Sequence, residues 1–223
     1  MVALTFLIVA VAGYLLGSVP TGFLVAKTRG VDIRTVGSKN MGATNVFRVL
    51  GKGPGILVLL VDALKGFAAV VLVVNFYPEL NGLLPVVFPL DGVSSPDLRW
   101  NLGIIAGLGS VLGHNYTCWL GFKGGKGIAT SAGVYIALAL LPVGIALAVW
   151  MLLFLTTRDV SIASIGGAAA LPVAVWLTQQ NLLLGIVTTL IGALAIYKHK
   201  ANIQRLIAGT ESRFTFKKQK AES

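Results

Sequence analysis

The sequence predicts an all-α, polytopic membrane protein of seven transmembrane helices with its N-terminus outside and its C-terminus inside. Three observations carry this. The chain is 56% apolar and 12% charged, against roughly 25% charged residues in soluble domains. Its 223 residues divide into apolar stretches that leave room for about six or seven spans of ~20 residues with short loops. Its cations fall almost wholly on alternate loops, which is the positive-inside pattern of membrane insertion.

The first span covers 3–26. No basic residue precedes Lys27, and the run is longer than the core of a cleavable leader, so it is read as a retained helix. The second and third cover 54–77 and 101–118. The fourth (128–141) and fifth (143–157) are separated at Leu141-Pro142-Val143-Gly144, because proline removes a helical donor and disfavours helix in the residue before it. The sixth and seventh cover 161–178 and 182–197. All but two of the 18 lysines and arginines then lie inside, the exceptions being Lys65 within a span and Arg99 outside. The outer loop 78–100 carries Glu79, Asp91 and Asp97 instead. Merging the fourth and fifth spans would put the basic tail, with Lys217, Lys218 and Lys220, on the wrong side. Residues 1–223 are thus expected to form one integral membrane domain, with no separate soluble domain among them.

A formal charge of +10 on so apolar a chain points to anionic lipid headgroups and phosphorylated substrates rather than nucleic acid. The single Cys118 excludes an internal disulfide and a cysteine-only metal cluster, and the two histidines are far apart, so no metal or cofactor site is read. Glycines such as Gly103, Gly107, Gly113, Gly166 and Gly167 are read as sites of close helix approach.

Three polar stretches at the inner ends of the spans carry the chemistry. In the first, Gly37 and Gly42 permit tight turns whose successive N–H groups form an anion nest. Ser38, Asn40, Thr44 and Asn45 surround the turns with neutral hydrogen-bonding groups, and Arg48 adds a planar fork suited to phosphate. A plain basic loop would need the cations but not Ser-x-Asn and Ala-Thr-Asn. The second runs Gly121-Phe122-Lys123-Gly124-Gly125-Lys126-Gly127 into an apolar helix, placing its N–H groups near a positive helix end; Thr130 and Ser131 stand on the first turn. It is either a phosphate cradle or a flexible basic loop. It is not a Walker A loop, since Leu120 and Gly127 stand where glycine and Ser/Thr are required. In the third, His199, Asn202 and Arg205 recur every three residues and share a helical face, either as a polar wall to the site or as a juxtamembrane helix with snorkelling cations.

Other polar groups flank these. His114 is either a structural hydrogen bonder or part of the site. Asp62 and Lys65, three residues apart inside a span, either pair with each other or send the lysine to the headgroups, and both options imply a polar interior. Arg158, Ser161 and Ser164 make another polar edge. Neither histidine is followed five residues on by aspartate, and Gly-x-Ser-x-Gly is absent, so the His-x4-Asp acyltransferases and the nucleophile-elbow hydrolases are not indicated.

At these residues the chain resembles the bacterial acyl-phosphate:glycerol-3-phosphate acyltransferases (PlsY-type). The resemblance spans nearly the whole chain: Gly17-Ser18-Val19-Pro20-Thr21-Gly22, Gly37 to Arg48, Asp62-Ala63-Leu64-Lys65-Gly66, Gly113-His114 through Gly127, and His199 to Glu211. One departure is Thr117, where the family usually has proline. The resemblance implies a seven-helix enzyme of the bacterial inner membrane with its site on the cytosolic side. It implies a fatty acyl phosphate as donor, glycerol 3-phosphate as acceptor, and lysophosphatidic acid as product in phospholipid synthesis. It also implies contact with membrane lipids and with the soluble enzyme that makes acyl phosphate. Ser38, Arg48, His199 and Asn202 are then the expected catalytic groups. Gly37, Asn40, Gly42, Thr44, Asn45, Lys123, Gly124, Gly125, Lys126, Gly127, Thr130, Ser161, Ser164 and Arg205 are the expected binding groups, with Lys65 and His114 as further candidates. The competing reading is a small carrier for phosphorylated metabolites, which would want its cations at mid-membrane.

Overall fold

A computed structural model describes residues 2–83 and 96–213, and these residues form helices and loops with no strand. The helices are α1 (Val2–Ser18), α2 (Thr21–Lys27), α3 (Ala43–Leu50), α4 (Lys52–Leu83), α5 (Pro96–Asn115), α6 (Ile128–Leu138), α7 (Leu140–Thr157), α8 (Val160–Thr178), α9 (Leu182–Lys198) and α10 (Lys200–Ile207). Asp91, Lys217, Lys218 and Lys220, used in the charge count, lie outside the described residues.

Apolar helices occupy all seven expected stretches, but among the described residues fewer than seven qualify as spans by length and hydropathy. Four do: Ala3–Lys27, Lys52–Phe76, Leu140–Thr157 and Val160–Thr178. A fifth is added if α9 and α10 count as one element bent by 51°. With 11 residues, α6 is about 16 Å long, well short of a ~30 Å hydrocarbon core.

Three boundaries differ from expectation. The first stretch breaks at Val19-Pro20, because Pro20 has no N–H to continue the ladder. At the break the Val19 carbonyl accepts from the Lys65 ammonium and from the Thr21 N–H, both at 3.0 Å. The fourth and fifth stretches are indeed separate helices, but the break is at Ala139 (φ −155°, ψ 76°). Pro142 sits in the first turn of α7, where its missing N–H would have had no partner anyway. Last, α4 runs to Leu83, so the start of the expected outer loop, Glu79 included, is helical.

Small residues set the packing. Gly13 and Gly17 of α1 lie against Ala106 and Ser110 of α5, and Gly109 and Gly113 of α5 lie against Ala10 and Tyr14 of α1. A Cβ at any of them would strike the opposite backbone. The pair α4–α6 is built the same way, Gly66 against Thr130 and Gly133 against Ala63. Such approach replaces the hydrophobic drive that lipid removes. On the other side α7, α8 and α9 pack in sequence, and α9 also touches α5. Asp159 caps α8, accepting from the N–H groups of Ser161 (2.7 Å) and Ile162 (3.2 Å); a cap of this kind contributes about 1 kcal/mol. Thr117 holds φ −63°, the angle proline would impose. Its hydroxyl also donates to the Ser18 carbonyl at 2.5 Å, so the departure from the family pattern leaves the turn intact.

Candidate functional site

The three polar stretches meet around one cavity of about 300 Å³ at the end of the bundle where α5 stops and α6 begins. Ser38, Asn40, Gly42, Thr44 and Asn45 line it from the first loop and α3, Asp62 from α4, and His114 from the last turn of α5. Lys126 and Gly127 come from the glycine loop, Trp150 from α7, Ser164 from α8, and His199 from the junction of α9 and α10.

Lys126 is the charged centre. Its ammonium donates to Asn202 Oδ1 at 2.6 Å. The Asn202 amide nitrogen donates in turn to Ser161 Oγ and to Glu211 Oε1, both at 2.7 Å. Ser161 Oγ donates to the same Glu211 oxygen at 2.7 Å, and Arg205 Nε donates to Glu211 Oε2 at 2.6 Å. Two acceptors on its nitrogen leave the Asn202 carbonyl oxygen facing the ammonium. Burial pushes the Lys126 pKa down to about 8; the Glu211 carboxylate resists this, while Arg205 and Arg48 add to it.

His199 is 2% exposed. Its Nδ1 lies 2.8 Å from the Ala195 carbonyl. A carbonyl can only accept, so Nδ1 carries the proton and Nε2 keeps its lone pair. Burial first, and then the neighbouring Lys126 charge, lower its pKa to about 4, against the Ala195 bond and Glu211. His199 is therefore a neutral acceptor near pH 7.

Several expected binding groups are committed elsewhere. The Asn45 side chain accepts from Ser38 N at 2.8 Å and donates to the carbonyls of Ile33 (3.3 Å) and Val36 (3.1 Å). It shapes the first loop and is not a free donor. Asn40 Oδ1 accepts from Gly42 N at 2.8 Å. Gly37 is exposed at φ +60° and lies against Asn45. In the second loop the Gly125 N–H is bound to the His114 carbonyl at 3.0 Å, and Gly124 packs on that same carbonyl. The loop is thus pressed onto α5, and the Gly125 N–H is spent there. Thr130 is fully buried toward Gly66 of α4 and lies off the cavity.

Arg48 and Lys123 are exposed and outside the cavity wall, Arg48 close enough for its charge to act on Lys126. Lys65 is ion-paired with Asp62 at 2.8 Å and does not reach the headgroups. Ser161, Asn202 and Arg205 reach the site through Lys126 and Glu211. Glu211 is the group the sequence reading misses. Its signals are its place at the end of the His199–Glu211 stretch and its being an acid beyond Arg205, and its role shows only when the chain folds back onto α8.

A second, apolar cleft adjoins the cavity. Ile128, Ala132, Leu147, Trp150 and Ser164 line both. From there it runs between α6, α7, α8 and α9 past Gly167, Gly192 and Ala195 to Val143, Leu171 and Ile191. Trp150 Nε1 donates to Ser164 Oγ at 3.3 Å where the two spaces join. A polar head and an apolar chain in one molecule match this pair of spaces.

Comparison with known proteins agrees with the chemistry. A family profile described as glycerol-3-phosphate acyltransferase matches residues 7–209. The glycerol-3-phosphate acyltransferase of Geotalea daltonii is 44% identical over 208 residues, covering 93% of this chain and 97% of that protein. That of Geobacter metallireducens is 47% identical over 202 residues, covering 90% and 93%. Two crystal structures of PlsY (YgiH), an integral membrane glycerol 3-phosphate acyltransferase, superpose on the chain. The glycerol 3-phosphate form has a TM-score of 0.79 at 39% identity, covering 94% of this chain and 96% of that one. The lysophosphatidic acid form has a TM-score of 0.76 at 38% identity, covering 94% and 95%.

Proposed function

The chain belongs to the glycerol-3-phosphate acyltransferase family, an integral membrane family of phospholipid synthesis, and from that premise we propose that it uses acyl phosphate as its donor. The reaction is attack of the sn-1 hydroxyl of glycerol 3-phosphate on the acyl carbonyl. The new ester bond forms, the acyl–phosphate bond breaks, and lysophosphatidic acid and inorganic phosphate leave. The observation that carries this is the union of a cationic cavity with an apolar cleft, with Lys126 at the head end. Acyl phosphate brings its own leaving group, so the proposed step needs no covalent enzyme intermediate, metal or cofactor. What it needs is two phosphates held side by side and a hydroxyl aligned for attack. Lys126, held by Asn202, offsets phosphate charge. The neutral Nε2 of His199 accepts from the sn-2 hydroxyl and so orients the glycerol, while the departing phosphate oxygen takes the proton of the attacking sn-1 hydroxyl. Both substrates are then present together, which gives ternary-complex rather than ping-pong kinetics. Purified protein given palmitoyl phosphate and glycerol 3-phosphate is expected to form lysophosphatidic acid. Equal turnover of palmitoyl-CoA in phosphate-free buffer would sink the donor assignment.

Arg48, just outside the wall, swings onto a phosphate once one enters. Arg48→Lys keeps the charge but loses the bidentate fork. It is expected to lower kcat/KM by about 30- to 150-fold in a protein that stays folded. Near-normal kinetics would remove Arg48 from the site.

The site is proposed to face the cytosol of a bacterial inner membrane, where the soluble enzyme that makes acyl phosphate delivers it. The support is the distribution of cations, which favours N-out and C-in. In a Cys118→Ser background, an impermeant thiol reagent added outside is expected to label a cysteine placed at Asp97 but not one at Lys123 or Ser212. Labelling at Ser212 from outside would overturn the orientation.

A further inference from the structure

Asp62 and His114 line the cavity, yet each is almost fully buried, at 2% and 3% exposure. The reaction proposed above gives neither a role. His114 Nδ1 is 3.6 Å from Asp62 Oδ1, beyond hydrogen-bond length, so the ring is boxed in by packing and charge. Asp62 is itself held by Lys65, whose ammonium is tied to the Val19 carbonyl at the α1–α2 break. On its other side the ring meets Gly125. A Cβ at Gly125 would stand 2.8 Å from His114 Cε1, 3.0 Å from Cδ2 and closer still to Nε2. The His114 carbonyl meanwhile takes the Gly125 N–H. The next residue is Lys126, which leaves the loop on the side of Asn202.

We propose that His114, braced by Asp62, is a positioning residue: its ring is the wall against which Gly125 seats, and this seating aims the Lys126 ammonium into the cavity. This rests on the reading of Lys126 as a phosphate-binding group. A lysine side chain has many rotamers, and ordering it is costly. Fixing the backbone on both sides lowers that cost before substrate arrives. Gly125 has no positive φ, so alanine is excluded there by the ring and not by backbone conformation. Gly127 differs. It holds φ +81° and lies against the Asn115 side chain, so its substitution fails for reasons that His114 does not control.

The test is a size-complementation cycle on the full-length protein in detergent, with folding followed by yield and thermal unfolding. Gly125→Ala is expected to raise KM for at least one phosphate substrate on the order of tenfold or more, with kcat within about threefold. His114→Ala vacates the ring's space and keeps the carbonyl anchor. The double variant is therefore expected to recover most of the KM lost in Gly125→Ala, while His114→Ala recovers nothing for Gly127→Ala. A double variant no better than Gly125→Ala overturns the proposal, as does equal rescue of Gly127→Ala. Gly125→Ala is informative by itself if His114→Ala does not fold, because a defect confined to kcat overturns the proposal. If the wild-type protein binds glycerol 3-phosphate without turning it over, the reaction assigned above fails, and the same variants are compared by Kd for glycerol 3-phosphate.

Discussion

Lys126→Met is expected to lower kcat/KM by on the order of 10²–10³-fold, the usual cost of removing a preorganised group that stabilises developing charge. Methionine keeps the length and most of the apolar contacts of the lysine stem. The loss is therefore one of charge and of the donor to Asn202, not of volume. The free ammonium titrates near pH 8 because it is buried. Its charge, and with it the attraction for phosphate, is present below that pH and lost as pH rises through it. The wild-type kcat/KM profile, which reports the free enzyme, should fall above about pH 8. The fall should be absent from the residual activity of Lys126→Met and displaced to higher pH in Lys126→Arg. A profile flat to pH 9.5 in the wild-type protein would show that the Lys126 ammonium keeps its proton there, and near-normal kcat/KM in Lys126→Met would take Lys126 out of phosphate binding.

The second large effect is at His199. His199→Ala removes the neutral ring acceptor at the α9–α10 junction and is expected to lower kcat/KM by roughly 10²-fold. The orienting role places most of that loss in KM for glycerol 3-phosphate, because the departing phosphate takes the proton. A loss of 10²–10⁴-fold in kcat at saturating substrate would instead make His199 the general base. The ring's pKa is lowered to about 4, so its protonation belongs near pH 4 and not in the ordinary imidazole range near 6.5. A wild-type acid limb near pH 6.5 that vanishes in His199→Ala would show that the ring is far less buried than described here. Unchanged kinetics in both His199→Ala and Asn202→Ala would put the α9–α10 junction outside the site.

Much of this protein is legible in its sequence. The all-helical class, the integral membrane character and the family follow from hydropathy, charge distribution and motifs carried on contiguous residues, so no tertiary contact is needed to read them. The convergence of the first loop, the glycine loop and the His199 face on one cavity agrees with their shared place at the ends of apolar helices. The residues' individual duties do not. Asn45 and Asn202 are the same residue type in similar polar stretches. The first is consumed by the carbonyls of its own loop, while the second turns its oxygen to an ammonium 76 residues away in sequence. Thr130 and Lys126 are four residues apart, one facing α4 and the other the cavity. Glu211 gains its meaning from Ser161, 50 residues earlier, and Gly125 from the His114 ring. The sequence by itself determined that the chain is helical and of integral membrane character and which chemistry its polar stretches hold, because hydropathy and residue type act on each stretch separately. Only the tertiary structure decided which donors are free, which are spent and which cation is aimed. Hydrogen bonds and steric seating are pairwise, and their partners come from different helices.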